Sequence, residues 1–308
     1  MEAHLWGLRF AAMNAAEIVS VRAAFAEKLR ETSALRDPRI VAAFASVPRE
    51  DFVGRGPWLT LPDAAGYRST ADADVRHVYQ DVAIALDAAR MLNNGAPSFL
   101  ARVIEALEVK EGERVAHIGC STGYYSAILA EVVGPRGRVI AVELAPDLAL
   151  GARKNLARWK QIEVRHRDGV AQPSEAADVV FVQAGVTHPQ PRWLEAVPLG
   201  GRVALAMTAI LPPSRIRRIV RDHAGWILIA KRREHGCAAR FLEVIGVQAL
   251  LGGRDAAIQA RLRAAYDRER GQRPPVASLR TDAHAADANC WLHEATFCLS
   301  KRAIGDVP

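Results

Sequence analysis

The feature that most constrains the fold of this chain is an alternation of apolar and amphipathic segments between residues 98 and 207. Helix-like stretches ("SFLARVIEAL", "YYSAILAEVV", "APDLALGARKNLARW") alternate with strand-like stretches ("RVAHIG", "RVIAVEL", "IEVRHR", "ADVVFVQAG", "GGRVALAM"). Strands with uninterrupted apolar runs are typical of sheets buried on both faces. Such strands in alternation with helices predict an α/β fold, a parallel sheet covered by helices on each side.

The pattern changes after Met207. The stretches "GWILIAKRR" and "ARFLEVIGVQAL" follow one another without a clear helix between them, which predicts an antiparallel edge. "DAAIQARLRAAY" then has helical apolar spacing, with Asp255 as its predicted N-cap. "CWLHEATFCLS" is predicted to be a closing strand.

The N-terminal part is predicted to be helical. Apolar residues recur at helical spacing within residues 17–31. In "DPRIVAAFASV", Asp37 can cap a second helix and Pro38 suits its first turn. Residues 54–78 are rich in Gly, Pro, Asp and Arg and predict a long loop.

The chain of 308 residues is long enough for one large domain or two small ones. We expect an N-terminal helical segment and loop over residues 1–80, a core over 81–250, and a C-terminal helix and strand extension over 251–308. No apolar stretch approaches the roughly 20 residues that span a bilayer, and the start around Glu2 lacks a signal pattern. We therefore expect a soluble, cytoplasmic protein with no membrane partner.

Cysteines and charge exclude some functions. Cys120, Cys237, Cys290 and Cys298 form no C-x-x-C pair and no zinc spacing, so we expect reduced thiols that act as small apolar residues, and no metal. The net charge of +7 favours an acidic substrate or cofactor. The basic residues are scattered, which is typical of solvated faces, and a nucleic-acid partner is not favoured.

The segment "VAHIGCSTGYYSAILAEVVG" predicts a strand, a tight turn and a helix. Gly119 and Gly123 let the backbone turn sharply, and the helix start offers free N–H groups and a positive dipole end. A tight turn without a ligand is the simpler interpretation. Two acids favour a ligand: Glu143 ends the next strand and can accept ribose hydroxyls, and Asp168 ends the third and can accept from an adenine amino group.

These three strand ends together predict an adenosine site. NAD is disfavoured because the turn lacks the G-x-G-x-x-G spacing that a pyrophosphate requires. A nucleoside without phosphates, such as S-adenosyl-L-methionine, suits the shorter turn.

The motifs "VPREDFV", "VYQD", "RVAHIGCSTGYYSAILAEVVG", "VIAVE", "RDG" and "LGGRVAL" resemble, in order and spacing, the protein-L-isoaspartate O-methyltransferase family over roughly residues 35–207. The resemblance implies a Rossmann-like class I methyltransferase sheet, mostly parallel with an antiparallel seventh strand, and S-adenosyl-L-methionine as cofactor. The residues implied are a methionine-side turn (Gly119, Ser121, Gly123), a ribose partner (Glu143) and two residues that flank the adenine (Asp168, Gly169).

The predicted cofactor set also includes three neighbours of these residues: His117, Tyr124 and Leu144. His117 stands where an acid could receive the cofactor's amino group; the alternative is a core histidine bonded to backbone. Ser121 is small enough for the turn if its φ stays negative.

The acceptor side departs from the family. The family's catalytic segment reads approximately T-I-S-Q-P, whereas the matching stretch here is "MLNNGAPSF". Asn93, Asn94 and Gly95 replace the hydroxyl-bearing part. Pro97 aligns with the proline of the family, and Ser98 follows this proline instead of preceding it. The resemblance therefore implies that the cofactor-binding residues are retained and that the acceptor site differs from that of the family. We expect poor activity on isoaspartyl peptides.

We expect methylation of a carboxylate on a peptide, a protein or a small acid, with Asn93 and Asn94 as the groups that orient it. The "NNG" sequence is equally a plain turn signal. A small-molecule O- or N-methyltransferase is the alternative enzyme, with His188 as its general base, although His188 can also be a loop residue without a role. RNA methylation and a non-catalytic cofactor-binding adaptor are further alternatives.

Overall fold

The computed structural model describes residues 13–63, 66–171, 175–210 and 223–304. Helices and strands are numbered separately in chain order. The helices are α1 (Ala15–Ser33), α2 (Pro38–Ser46), α3 (Pro97–Ala106), α4 (Tyr124–Val133), α5 (Pro146–Asn155), α6 (Pro191–Glu195) and α7 (Ala256–Arg268). The strands are β1 (Leu59–Leu61), β2 (Arg68–Ser69), β3 (Ala83–Asp87), β4 (Leu92–Asn93), β5 (Arg114–Ile118), β6 (Arg138–Glu143), β7 (Ile162–His166), β8 (Val179–Val186), β9 (Arg202–Ile210), β10 (His223–Arg233), β11 (Gly236–Gly246), β12 (Ser278–Arg280), β13 (Cys290–His293) and β14 (Cys298–Ser300).

The main sheet of the described residues has the strand order β13-β14-β12-β11-β10-β9-β8-β5-β6-β7. Strands β7, β6, β5, β8 and β9 run parallel, and every pair from β9 to β13 is antiparallel. The predicted α/β, Rossmann-like fold is confirmed. Its antiparallel part is larger than an edge, because the C-terminal strands continue the same sheet. The chain reverses its direction of winding at β5, where a crevice forms outside the strand ends.

Apolar side chains pack on both faces of the sheet. Successive residues of β6 alternate between two buried clusters, as strand geometry requires. One cluster lies under the N-terminal helices and includes Phe44, Ile104 and Leu129. The other includes Trp193 of α6 and Tyr266 of α7. The uninterrupted apolar runs of the parallel strands follow from this double coverage.

The predicted helix starts are confirmed by their caps. The Asp37 carboxylate accepts from the Arg39 N–H at 2.9 Å, at the start of α2. The Asp255 carboxylate accepts from the Ile258 N–H at 2.8 Å, at the start of α7. Each cap satisfies an N–H group that has no partner within its helix.

Two predicted elements differ in the structure. Residues 54–78 are not simply a loop, because they contain β1 and β2 of a small sheet with the order β2-β1-β3-β4. These strands are too short for alternation to be recognised in the sequence. "CWLHEATFCLS" forms two antiparallel strands, β13 and β14, and not one closing strand. Its middle residues turn the chain, so that His293 pairs with Cys298.

Across the described ranges, no helix is both long enough and apolar enough to cross a membrane. Most of the basic stretch "SRIRRIVRDH" and the N-terminal Glu2 lie outside the described residues. The boundaries expected near residues 80 and 250 stay a prediction.

Candidate active site

The turn between β5 and α4 has an unusual backbone. Gly119, Ser121 and Gly123 have φ values of 76°, 55° and 97°. The condition of a negative φ at Ser121 is therefore not met, and a left-handed residue with a Cβ atom costs about 1 kcal/mol. The Ser121 N–H offsets this cost by donating to Glu143 Oε2 at 2.8 Å.

Gly123 and Tyr124 support this turn from behind. A Cβ atom at Gly123 would lie 2.6 Å from Leu156 Cδ1, so packing as well as φ requires glycine there. Tyr124 is the first residue of α4 and is buried between the rings of Phe44 and Phe52.

Glu143 ends β6 and joins the first two strand ends of the site. Its Oε1 accepts from the N–H groups of Leu144 and Ala145, each at 2.9 Å, and its Oε2 accepts from Ser121. A carboxylate has about four acceptor positions. Three backbone donors fix this side chain while leaving acceptor capacity for a ligand hydroxyl.

A cavity of about 670 Å³ lies at the carboxyl ends of β5, β6 and β8. This volume suits a small-molecule site. Its wall is largely apolar, with Phe99, Leu100, Phe181 and Ile227 among its residues. Five predicted site residues line it: Asn93, Gly119, Ser121, Glu143 and Leu144. The volume and the acceptor capacity of Glu143 fit the nucleoside of S-adenosyl-L-methionine.

The other predicted residues are not in the described lining of this cavity. They are Asn94, His117, Gly123, Tyr124, Asp168, Gly169 and His188. Gly123 and Tyr124 support the turn before α4. Each of the other five residues contacts a different part of the structure.

His117 is fully buried in β5, stacked on Phe181 with ring centroids 4.9 Å apart. Its Nδ1 lies 2.8 Å from Ser126 Oγ, and its Nε2 lies 3.0 Å from Gln183 Oε1. Burial lowers the pKa of His117 to about 4, so the ring is neutral near pH 7. Because Gln183 Oε1 only accepts, Nε2 carries the proton and Nδ1 accepts from Ser126. His117 is a core histidine, as one of the two alternatives proposed, but its partners are side chains and not the backbone.

Asp168 lies beside the cavity wall, whereas Gly169 packs against β5. Asp168 Oδ1 accepts from the N–H groups of Val170 and Ala171 at 2.7 and 3.1 Å. Its Oδ2 faces Gly252, close to Leu250 and Leu251 of the wall. A Cβ atom at Gly169 would lie 2.6 Å from Ile118 Cγ2, so glycine allows this turn to approach β5.

His188 contacts the C-terminal extension. Its Nδ1 lies 2.8 Å from Thr187 Oγ1, its Nε2 lies 3.0 Å from the Gln190 amide nitrogen, and its ring stacks on Phe297. Burial lowers its pKa. The Gln190 amide donates to Nε2, so this nitrogen's lone pair is already engaged.

The two asparagines have different roles. Asn93 lines the cavity; it donates to Tyr67 Oη at 2.9 Å and accepts from the Gly95 N–H at 3.0 Å. Asn94 is buried, and its Oδ1 accepts from the Ile84 N–H at 2.8 Å. Asn94 therefore holds the backbone of the segment, whereas Asn93 faces the cavity.

Buried Arg49, from the motif "VPREDFV", holds the backbone of residues 78–82 close to Asn94. Its guanidinium donates to the carbonyl groups of Val78, Gln80 and Val82 at 2.7–2.8 Å. Five donors in a rigid fork suit such a set of acceptors. The motif alone does not indicate this role of Arg49, because its acceptors lie about 30 residues further along the chain.

Gln183 is a site residue that sequence reasoning missed. It lies within β8 and lines the cavity, and its Nε2 faces Gly95 of the stretch "MLNNGAPSF". The signal was present: a polar residue follows four apolar ones in "VVFVQAG". Arg90 was also missed; it lines the cavity and forms ion pairs with Asp87 and Asp147.

A glycine turn after the first parallel strand, an acid at the end of the second, and an antiparallel strand next to β9 define a class I S-adenosyl-L-methionine-dependent methyltransferase. A family model, described as Protein-L-isoaspartate(D-aspartate) O-methyltransferase (PCMT), matches residues 20–234. The chain belongs to the PCMT family, and it is an S-adenosyl-L-methionine-dependent enzyme.

Relatives agree with this membership. Protein-L-isoaspartate O-methyltransferase 1 of Archaeoglobus fulgidus is 31% identical over 188 residues, 60% of this chain and 78% of the relative. Protein-L-isoaspartate O-methyltransferase 2 of Pelobacter propionicus is 30% identical over 221 residues, 70% of this chain and 85% of the relative.

Solved structures agree at the level of the fold. A protein-L-isoaspartate O-methyltransferase has a TM-score of 0.60 at 23% identity, over 80% of this chain and 69% of that chain. A Plasmodium falciparum protein, described as a putative member of this family in complex with S-adenosyl-L-homocysteine, has a TM-score of 0.54 at 15% identity, over 74% and 97%.

Proposed function

We propose that this enzyme O-methylates a carboxylate carried by a peptide, a protein or a small acid. The observation that supports this is the chemistry of the cavity wall. Its described residues include the carboxamides of Asn93, Gln183 and Gln248 but no His, Lys, Tyr or Cys. A carboxylate, with a pKa near 4, is already a nucleophile and requires no base, whereas a hydroxyl or protonated amine must lose a proton.

We assign the cofactor to the side of the cavity formed by β5 and β6. Glu143 accepts the ribose hydroxyls there, the backbone at Gly119 and Ser121 borders the methionine part, and Leu144 packs on the nucleoside. Asp168, which lies beside the wall, and the adjacent Gly169 are the proposed neighbours of the adenine. When bound, S-adenosyl-L-methionine supplies a sulfonium methyl group for in-line attack.

The acceptor side is formed by Asn93 and Gln183. The bonds of Asn93 to Tyr67 and Gly95 fix its rotamer, and His117 fixes the oxygen end of Gln183. Each amide then has an N–H available to donate to a carboxylate. Such preorganised donors orient the acceptor, which is the main requirement of a reaction without a base.

The alternative with His188 as base has weaker support. His188 is outside the described cavity lining, and its Nε2 accepts from Gln190.

The test is a transfer assay with radiolabelled S-adenosyl-L-methionine against a peptide library and a set of small carboxylic acids. We expect labelled products that release methanol in mild base, as methyl esters do. Products stable to base would show a hydroxyl or amine acceptor. If the cofactor binds in calorimetry but none of these carboxylates is labelled, the proposed acceptor class is wrong.

A variant locates the acceptor site. Gln183→Leu keeps the approximate shape but removes both amide donors, and we expect it to lower kcat/KM about tenfold or more. Affinity for S-adenosyl-L-homocysteine should change little. Gln161→Leu, a matched change at a residue whose amide bonds the Ala130 carbonyl, should leave both quantities unchanged.

A further inference from the structure

Four metal-ligand side chains meet at the edge of the main sheet that is farthest from β7. Cys290 and His293 come from β13, Cys298 from β14, and His284 from the segment between β12 and β13. The pairing of His293 with Cys298 brings the two strands into register. The match to the family model ends at residue 234, so this cluster lies outside it.

The ligand atoms are close enough for one ion. One ligand atom from each residue can be chosen so that all four lie within 4.8 Å of one another. His284 Nε2 lies 3.8 Å from Cys290 Sγ. Tetrahedral zinc with bonds of about 2.3 Å to sulfur and about 2.0 Å to nitrogen separates its ligands by about 3.3–3.8 Å. The cluster therefore needs only a modest contraction around an ion.

The surroundings orient these ligands. His284 Nδ1 lies 3.0 Å from the Asp282 carbonyl, which leaves Nε2 with its lone pair toward Cys290. The Asp287 N–H donates to Cys290 Sγ at 3.4 Å. Cys298 is 1% exposed. His293 Nδ1 is buried and has no hydrogen-bond partner among the described residues, and a bound metal would satisfy it.

We propose that His284, Cys290, His293 and Cys298 bind one zinc ion. Two thiolates and two neutral imidazoles balance the charge of Zn²⁺, and the two thiol protons pass to solvent on binding. Two sulfur and two nitrogen ligands in tetrahedral arrangement are typical of zinc. Four protein ligands leave no open position, so the site is structural and not catalytic.

The zinc fixes the C-terminal hairpin. Trp291, between two of the ligands, packs on Phe241 of β11 and Tyr266 of α7, with ring centroids 5.4 and 5.5 Å apart. The strands involved are very short, and short hairpins are marginal on their own. A metal cross-link at this point holds β13 and β14 against the rest of the sheet.

The first experiment measures metal by mass spectrometry in untagged protein purified under reducing conditions. We expect about one zinc per chain. The double variant Cys290→Ser with His293→Gln should lose it. The matched double variant Cys237→Ala with His235→Gln, which removes one cysteine and one histidine outside the cluster, should keep it. Wild-type protein without zinc that also fails to bind added Zn²⁺ would overturn the proposal.

A second measurement uses the wild-type chain alone, in case the variant does not fold. Cys290, which is only partly buried, should resist alkylation until a chelator is added, while buried Cys120, Cys237 and Cys298 stay unreactive. Replacement of zinc by Co²⁺ should give the strong visible absorption of tetrahedral thiolate ligation. A disulfide between Cys290 and Cys298, or alkylation that the chelator does not change, would contradict a zinc site.

Discussion

At the scale of single residues, the cofactor site depends most on Glu143. Glu143→Gln keeps the shape of the side chain but places an amide nitrogen against backbone donors. We expect it to weaken the binding of S-adenosyl-L-homocysteine more than tenfold, because hydrogen bonds to a charged group contribute about 1.5–3 kcal/mol. Calorimetry measures the effect. Glu163→Gln, in an exposed ion pair on β7, is the control, and equal affinities of the two variants would remove Glu143 from the site.

His117 gives a prediction of stability against pH. Its pKa falls from 6.5 in the unfolded chain to about 4 in the folded protein because it is buried. The unfolded state therefore binds the proton first as the pH falls, and stability that is present above pH 6.5 is lost toward pH 4. Between pH 7 and pH 5 this loss should be about 2 kcal/mol of the free energy of unfolding.

Denaturant unfolding of wild type and His117→Gln at the two pH values isolates this contribution. The variant should lack that part of the pH dependence, whereas His235→Gln, at an exposed histidine, should retain it. Equal pH dependence in wild type and His117→Gln would show that His117 ionises normally.

At the scale of elements, the turn before α4 places Gly119 and Ser121 at the cavity. Gly123→Ala combines a positive φ with a Cβ atom 2.6 Å from Leu156. Gly112→Ala has a similar φ of 81° but meets nothing within 4 Å. We expect Gly123→Ala to destabilise the protein by about 1 kcal/mol more than Gly112→Ala, since overpacking adds to backbone strain. Thermal or urea unfolding compares them, and equal losses would mean that Leu156 moves away without cost.

At the scale of the whole molecule, the pH dependence of the methyl-transfer rate separates the acceptor classes, because a hydroxyl or amine must lose a proton and a carboxylate need not. For a carboxylate acceptor, the rate should be nearly constant from about pH 6 to about pH 9, and His188→Gln should lower turnover only slightly. For a hydroxyl or amine acceptor with His188 as base, the rate should rise with pH and the variant should lower turnover about 10²-fold. A pH–rate profile of both proteins, on an acceptor identified by the transfer assay, makes the distinction.

The stretch "MLNNGAPSF", which differs from the catalytic segment of the family, gives a prediction for substrate choice. Asn93 stands at the cavity where the resemblance implies a hydroxyl residue, so we expect poor turnover of isoaspartyl peptides. A direct comparison with an authentic repair enzyme under equal conditions tests this. Comparable turnover would show that the hydroxyl is dispensable.

Much of this architecture is predictable because periodicity is local. The parallel strands, the helices between them and the caps Asp37 and Asp255 follow from residue spacing and capping chemistry within a few positions. The short strands β1 and β2 are not predictable, because two or three residues carry no period. Of the predicted site, Glu143 at the end of β6 lines the cavity, whereas His117 inside β5 is buried in the core.

The sequence by itself determined the fold class, the turn at Gly119 and the family, because each depends on an ordered set of local motifs. Only the tertiary structure decided which polar groups meet. It paired Gln183 with His117, placed His188 against Phe297, and brought His284 to Cys290 and Cys298. The spacing H-x5-C-x2-H-x4-C mixes two residue types, so a search for cysteine pairs does not detect it. Contacts of this kind depend on how strands pair across the sheet, and that pairing is a property of the packed chain and not of any short segment.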